Sequence, residues 1–183
     1  MSGGHGHVEH HGGNKGIALL IAVLALVLAL AETLGKGAQT AALAANIEAS
    51  NLWAFFQAKT IRQTVLRTAA EQTEILHSAQ NSKKQIEAWR KTAQRYQSEP
   101  ETGEGRDQLA ARAREQEKKR DVSMAAYHHY ELASAAVQIA IVLASASIIT
   151  AMPLLAWLAG GLGATGAVFC LIGLLAPTAV HLF

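Results

Sequence analysis

Histidines and a few carboxylates are the side chains of this sequence best suited to chemistry. Four of the eight histidines crowd the string Gly4-His5-Gly6-His7-Val8-Glu9-His10-His11-Gly12-Gly13. Imidazoles and a carboxylate this close together suit Zn²⁺, Ni²⁺ or Cu²⁺, which would make the tail a metal-capture or sensing element. The competing reading is a flexible tail of modest affinity, because glycine-rich ligands lose conformational entropy when they close on an ion. A second group is Tyr127-His128-His129-Tyr130-Glu131. His128 and Glu131 stand three residues apart on one helix face, a spacing that bundle metal sites use. Such a site needs ligands from a facing helix, and only His77, Glu71 and Glu74 offer themselves. The competing reading makes Tyr127, Tyr130 and the histidines anchors in the interfacial belt, with His181 another. Cys170, the one cysteine, excludes an intrachain disulfide and reads as an inert apolar packing residue.

The familiar catalytic signatures are missing. The sequence has no G-x-x-x-x-G-K-[ST] phosphate loop, no H-E-x-x-H and no G-x-S-x-G elbow. Half the residues are apolar and 16% are charged, against about 25% in a typical soluble domain. The net charge of +2 gives no case for nucleic acid as a partner. There are 36 alanines against three prolines, a composition that favours helix. No Asp, Glu, Lys or Arg occurs between Gly16 and Ala31, or between Leu132 and Phe183. These blocks argue against a soluble single-domain enzyme and predict an all-α membrane protein.

The elements that must position these residues follow from the apolar runs. Gly16 to Ala31 would rise about 24 Å as a helix, and Thr33 and Leu34 extend it towards a ~30 Å hydrocarbon core. A signal peptide competes, with Ile17 to Leu28 as its apolar region and Ala29-Leu30-Ala31 as the cleavage site; we read the run as a retained anchor over 16–34. The block from Leu132 onward is too long for one span. Pro153 divides it into spans at 132–151 and 154–176 joined by a tight turn, so those two helices must be antiparallel neighbours. Ala136, Ala140 and Ala144, and then Ala159, Gly163 and Ala167, recur every four residues. Such ridges let helices approach closely in lipid. They read either as packing within the hairpin or, for one ridge, as a subunit contact. The spans hold no ionisable residue of the relay type and no broken pair of the transporter type. A pore would have to be lined by Gln138, Ser145, Ser147, Thr150 and Thr165, which do not share one helical face.

Glu32 to Glu131 is a 100-residue segment with 15 Lys/Arg and 13 Asp/Glu. Mixed charge with much Ala and Gln predicts long solvated helices. The break at 98–106, around Pro100, Gly103 and Gly105, predicts the tip of a helical hairpin over 35–131, with Asp107 capping the returning helix. Val65, Ala69, Leu76, Ala79, Ile86 and Ala93 fit a diluted coiled-coil seam that also holds Arg62, Gln72, Lys83 and Arg90. Lys118-Lys119-Arg120 reads as a solvated face. A straight arm from Lys36 to Glu99 would rise about 96 Å and the return from Arg106 only about 39 Å. We therefore expect a hinge at Gly35-Lys36-Gly37 and a segment at 38–67 lying along the membrane. Its Trp53, Phe55, Phe56, Lys59 and Arg62 suit the headgroup zone.

The string Asn51-Leu52-Trp53-Ala54-Phe55-Phe56-Gln57-Ala58-Lys59-Thr60-Ile61-Arg62-Gln63 resembles a bacterial membrane-protein family known as domain of unknown function 4337. The His-rich tail, the His128-His129 pair before Leu132-Ala133, and Gln138-Ile139-Ala140-Ile141-Val142-Leu143-Ala144-Ser145 are similar too. The resemblance implies a three-pass protein of the bacterial inner membrane and carries no activity. Similar proteins often have basic residues in the last turn, where this chain has Thr150-Ala151-Met152-Pro153-Leu154. Lys15 then favours a cytoplasmic N-terminus with the helical domain periplasmic, while the basic residues of the long segment favour the reverse.

The expectation is therefore an all-α protein of three transmembrane helices, with a long extramembrane helical hairpin between the first and second. It would be non-enzymatic, would self-associate in the bilayer, and would act as a scaffold or an accessory subunit of a larger membrane complex. The alternatives are a metal-responsive membrane protein and an oligomeric channel.

Overall fold

The computed structural model describes residues 11–76 and 80–180, with side chains over 15–76 and 82–180. The described residues form four helices: α1 (His11–Leu76), α2 (Gln80–Gln97), α3 (Arg106–Thr150) and α4 (Pro153–Leu175). Helices α1, α3 and α4 each hold a stretch long and apolar enough to cross a membrane. By its contacts the chain divides into an apolar unit, Met1–Thr40 with Val122–Phe183, and a polar unit, Ala41–Asp121.

Helix α1 sets the pattern. Every residue from Leu24 to Ala70 reached by alternating steps of four and three is buried or half-buried. That 3.5-residue period keeps one stripe of the helix turned inward. The helix runs without a break through Gly35-Lys36-Gly37, so the hinge expected there does not exist. Each glycine weakens a helix by only about 1 kcal/mol, and packing outweighs that cost. Gly35 is buried, with Tyr130 Cβ at contact distance from the place its own Cβ would take.

In the apolar unit, Leu24 of α1 packs with Val137, Ala140 and Ala144 of α3 and Ala159 of α4. Close pairs Gly163–Ala140, Gly166–Val137 and Gly173–Tyr130 make α3 and α4 antiparallel. The inward face of α3 is Ala133, Val137, Ala140, Ala144 and Ser147, and that of α4 is Ala159, Gly163, Gly166 and Gly173. The small-residue ridges therefore step by four and three, where an even spacing of four was expected. Ala136 and Ala167 are only half-buried, and Val137 and Gly166 take their places. Both ridges face inward.

The polar unit resolves the length mismatch. Helix α2 already runs back along α1, as Glu74–Arg90 and Gln63–Ala93 show. After the break, α3 continues in the same direction, with Trp53 bonded to Glu117 and Asn46 to Arg120. From Ala41 to Leu76 helix α1 rises about 53 Å, and α2 with α3 up to Asp121 covers about 50 Å in return. The break at 98–105 thus lies partway down the returning side and is not the tip. Helix α1 ends at Leu76, and α2, running the opposite way, begins at Gln80. The seam expected at Val65 and Leu76 is out of phase: they are 60% and 73% exposed, while Ile86 and Ala93 are buried. Asp107 lies inside the first turn of α3 rather than at its cap. Its carboxylate accepts a hydrogen bond from Gln97 at 2.7 Å, and Gly105 O accepts the first helical bond, from Leu109.

The turn between α3 and α4 is two residues long. Met152 is extended, as a residue before proline must be. Ala151 carries the reversal at φ 54°, a left-handed conformation that costs a residue with a Cβ roughly 1 kcal/mol or more. Ala151→Gly is expected to stabilise the protein by about 0.5–1 kcal/mol after the larger unfolded-state entropy of glycine is counted. Thermal unfolding in detergent checks this, and a lower midpoint would contradict it.

Candidate functional site

The aromatic string of α1 supplies the interior of the polar unit. Leu52 packs with Leu109 and Ala113 of α3, and Trp53 and Phe56 close over them edge to face at 5.4 Å. Trp53 Nε1 donates to Glu117 at 2.9 Å. One turn on, Lys59 is 4% exposed. Its ammonium lies 3.5 Å from Glu99 and 3.6 Å from Glu104, and 5.2 Å and 5.6 Å from the Phe55 and Tyr96 ring centres. Gln63, also buried, donates to Ala93 O at 2.9 Å and to Gln97 Oε1 at 3.2 Å. Arg106 donates to both glutamine side-chain oxygens and stacks over Phe56 at 4.8 Å.

This arrangement is a latch on the helix break. Lys59, Arg106 and Glu99 are drawn in and paired with protein groups, while Glu104 stays half exposed and Arg106 Nε is buried without a hydrogen-bond partner. Gly105 is obligatory beneath it: a Cβ there would lie 2.4 Å from Glu99 N and 2.8 Å from Ser98 Cα. Of the residues expected among lipid headgroups, Lys59 is buried and Trp53 and Phe56 are half-buried against α3 instead. Phe55 is 37% exposed and Arg62 is exposed. The reason is one of phase, since Leu52, Phe56, Lys59 and Gln63 continue the inward stripe of α1. Gln63 and Arg106 were not singled out from sequence; the clue was the continuation of the four-three step through two polar residues. Lys118-Lys119-Arg120 is solvated, with Lys119 2.8 Å from Glu115 and holding its carboxyl below the usual range.

In the apolar unit, His128 Nδ1 lies 3.7 Å from Glu131, which is 59% exposed. Among the described residues no three His, Cys, Asp or Glu side chains come together as a metal site. His5, His7 and His10 lie outside the described residues, as do His77 and His181, and so does the side chain of His11. His129, the neighbour of His128, is the buried one, at 0% exposure. Its Nε2 lies 3.1 Å from Pro177 O and its ring stacks on Phe169 at 6.2 Å. A proton on Nε2 satisfies that carbonyl and leaves Nδ1 as a bare acceptor. Gly173 gives the rings room, since a Cβ there would lie 3.0 Å from Tyr130 and 3.1 Å from His129. Tyr130, expected as an interfacial anchor, is 5% exposed. Tyr127 lines an open groove of about 440 Å³ between α1 and α3, with Glu32, Lys36, Glu131 and Gln138.

The hydroxyls that a pore would need turn back on their own helices. Ser145 donates to Ile141 O, Thr150 to Ala146 O and Thr165 to Gly161 O, and Ser147 is buried. Cys170 is half-buried in α4.

A family model described as "Domain of unknown function (DUF4337)" matches residues 13–176. No curated protein and no solved structure matches the chain.

Proposed function

The chain belongs to the domain of unknown function 4337 family, and from there we propose a non-enzymatic integral membrane protein that self-associates and serves as a scaffold or accessory subunit of a membrane assembly. One observation carries the reading: the buried polar and aromatic residues of the polar unit are engaged with one another, while large apolar side chains stay outward. Lys59, Gln63, Arg106 and Trp53 all hold the fold, whereas Ile61, Val65 and Ile75 are 65%, 60% and 84% exposed. On this reading the protein passes three times through a bacterial inner membrane. Lys15 supports a cytoplasmic N-terminus and a periplasmic polar unit. A metal-responsive role through His5, His7, His10 and His11, joined by His128 and Glu131, is the second reading; the 3.7 Å pairing of the last two favours it. A channel has less support, because its candidate hydroxyls already have partners.

Native mass spectrometry of gently extracted, untagged protein, with and without chelator, separates these readings. The expected result is a discrete oligomer without bound transition metal, unchanged when residues 2–13 are deleted. A stoichiometric metal lost to chelator, with the oligomer, would put the metal reading first. A monomer with no companion protein would overturn both self-association and the accessory role.

A further inference from the structure

On the side of α1 opposite its buried stripe runs a second stripe, from Ala44 to Ile75, again at alternating steps of three and four. All ten of its positions are exposed and none is charged. Ile47, Ile61, Val65 and Ile75 are its large residues, between 53% and 84% exposed. The other helices of the polar unit pack on the opposite side, so among the described residues nothing else in that unit covers this face.

We infer that this stripe is the contact at which a second copy of the chain binds, α1 against α1 in parallel. The inference rests on the self-association proposed above and names its surface. Four observations select a second copy. The period is the one that two parallel helices need to keep a shared seam in register. Asn51 falls at a seam position where a buried asparagine fixes register in parallel helix pairs. The flanks are compatible: in a parallel pair a flanking residue meets the partner's residue five further on. Leu43 then meets the Glu48 of the partner, Gln57 the partner's Arg62, and Glu71 the partner's Leu76, with no like charges opposed. The size is adequate, because a stripe about 46 Å long buries roughly 450 Å² per copy. That approaches the ~1,000 Å² total of a specific interface, and copies confined to one bilayer meet at high effective concentration. A lipid surface fits less well, since helices that lie on membranes flank their apolar face with Lys and Arg, and here Glu48 and Glu71 stand beside Arg62.

The test is disulfide cross-linking of single-cysteine proteins in membranes, in a Cys170→Ser background. Ile61→Cys and Val65→Cys should form covalent dimers readily under mild oxidation. Arg67→Cys, also exposed on the same helix but off the stripe, should form at least fivefold less. Ile61→Glu with Val65→Glu should abolish the native oligomer while leaving helix content unchanged. Equal cross-linking at all three positions overturns the inference. So does an oligomer that persists in the double glutamate protein, and that outcome leaves self-association standing through another face. A monomer in native mass spectrometry of the unaltered chain removes the underlying reading as well.

Discussion

Gly166→Leu is expected to destabilise the apolar unit by about 3 kcal/mol or more, at the upper end for overpacking a filled interface. A Cβ at Gly166 would stand 2.6 Å from Val137 Cγ2 and 3.0 Å from Ala133 O. The second neighbour is backbone and cannot rotate away, so α3 and α4 must separate. Gly163 makes a weaker test, because the atom its Cβ would meet most closely is Leu24 Cδ2, the end of a flexible side chain. Gly161→Leu is the control. Nothing lies within 4 Å of its Cβ position, so it should lose nothing and gain up to about 1 kcal/mol from the better helix propensity of leucine. Thermal unfolding of the three proteins in one detergent reads the comparison; equal midpoints for Gly166→Leu and Gly161→Leu would contradict the packing.

Lys59→Glu is the second large effect. It would set a third carboxylate beside Glu99 and Glu104 at a buried position and remove the cation from Phe55 and Tyr96. Unpaired buried charge of this kind costs about 3–5 kcal/mol, enough to open the latch and expose the 98–105 break to protease. Lys59→Met keeps the aliphatic stem over the rings. It leaves Glu99 with Arg95 at 3.4 Å and with partial solvent access, so its cost should be nearer 1 kcal/mol. Limited proteolysis and chemical unfolding read both. Similar losses for Glu and Met would show that shape, and not charge, holds the latch.

The sequence made the helices legible wherever composition alone decides them. The uncharged runs and Pro153 located the three long apolar stretches and the turn between the last two. What was hidden is phase. In α1 the inward positions are filled by Leu, Ala and Gly, then Phe, Lys and Gln, so an eye following large apolar residues lands on Val65 and Leu76, which face outward. The same error sent Trp53, Phe56 and Lys59 to the headgroups. Continuity was hidden as well, because Gly35 and Gly37 read as a hinge when taken locally, whereas Gly35 packs against Tyr130 and the helix runs on through both. His128 drew attention for its spacing to Glu131, yet His129, four residues before Ala133, is the residue built into the apolar unit. The stripe from Ala44 to Ile75 becomes visible only once the buried stripe fixes which side of α1 is left over.

Self-association in the bilayer is the central claim, and energy transfer in lipid tests it most directly. Donor- and acceptor-labelled chains would be reconstituted together at one chain per several thousand lipids. The account predicts transfer well above that of a non-interacting membrane helix at the same density, lost when excess unlabelled chain is added. Transfer no greater than random proximity gives, and unmoved by unlabelled chain, would contradict it.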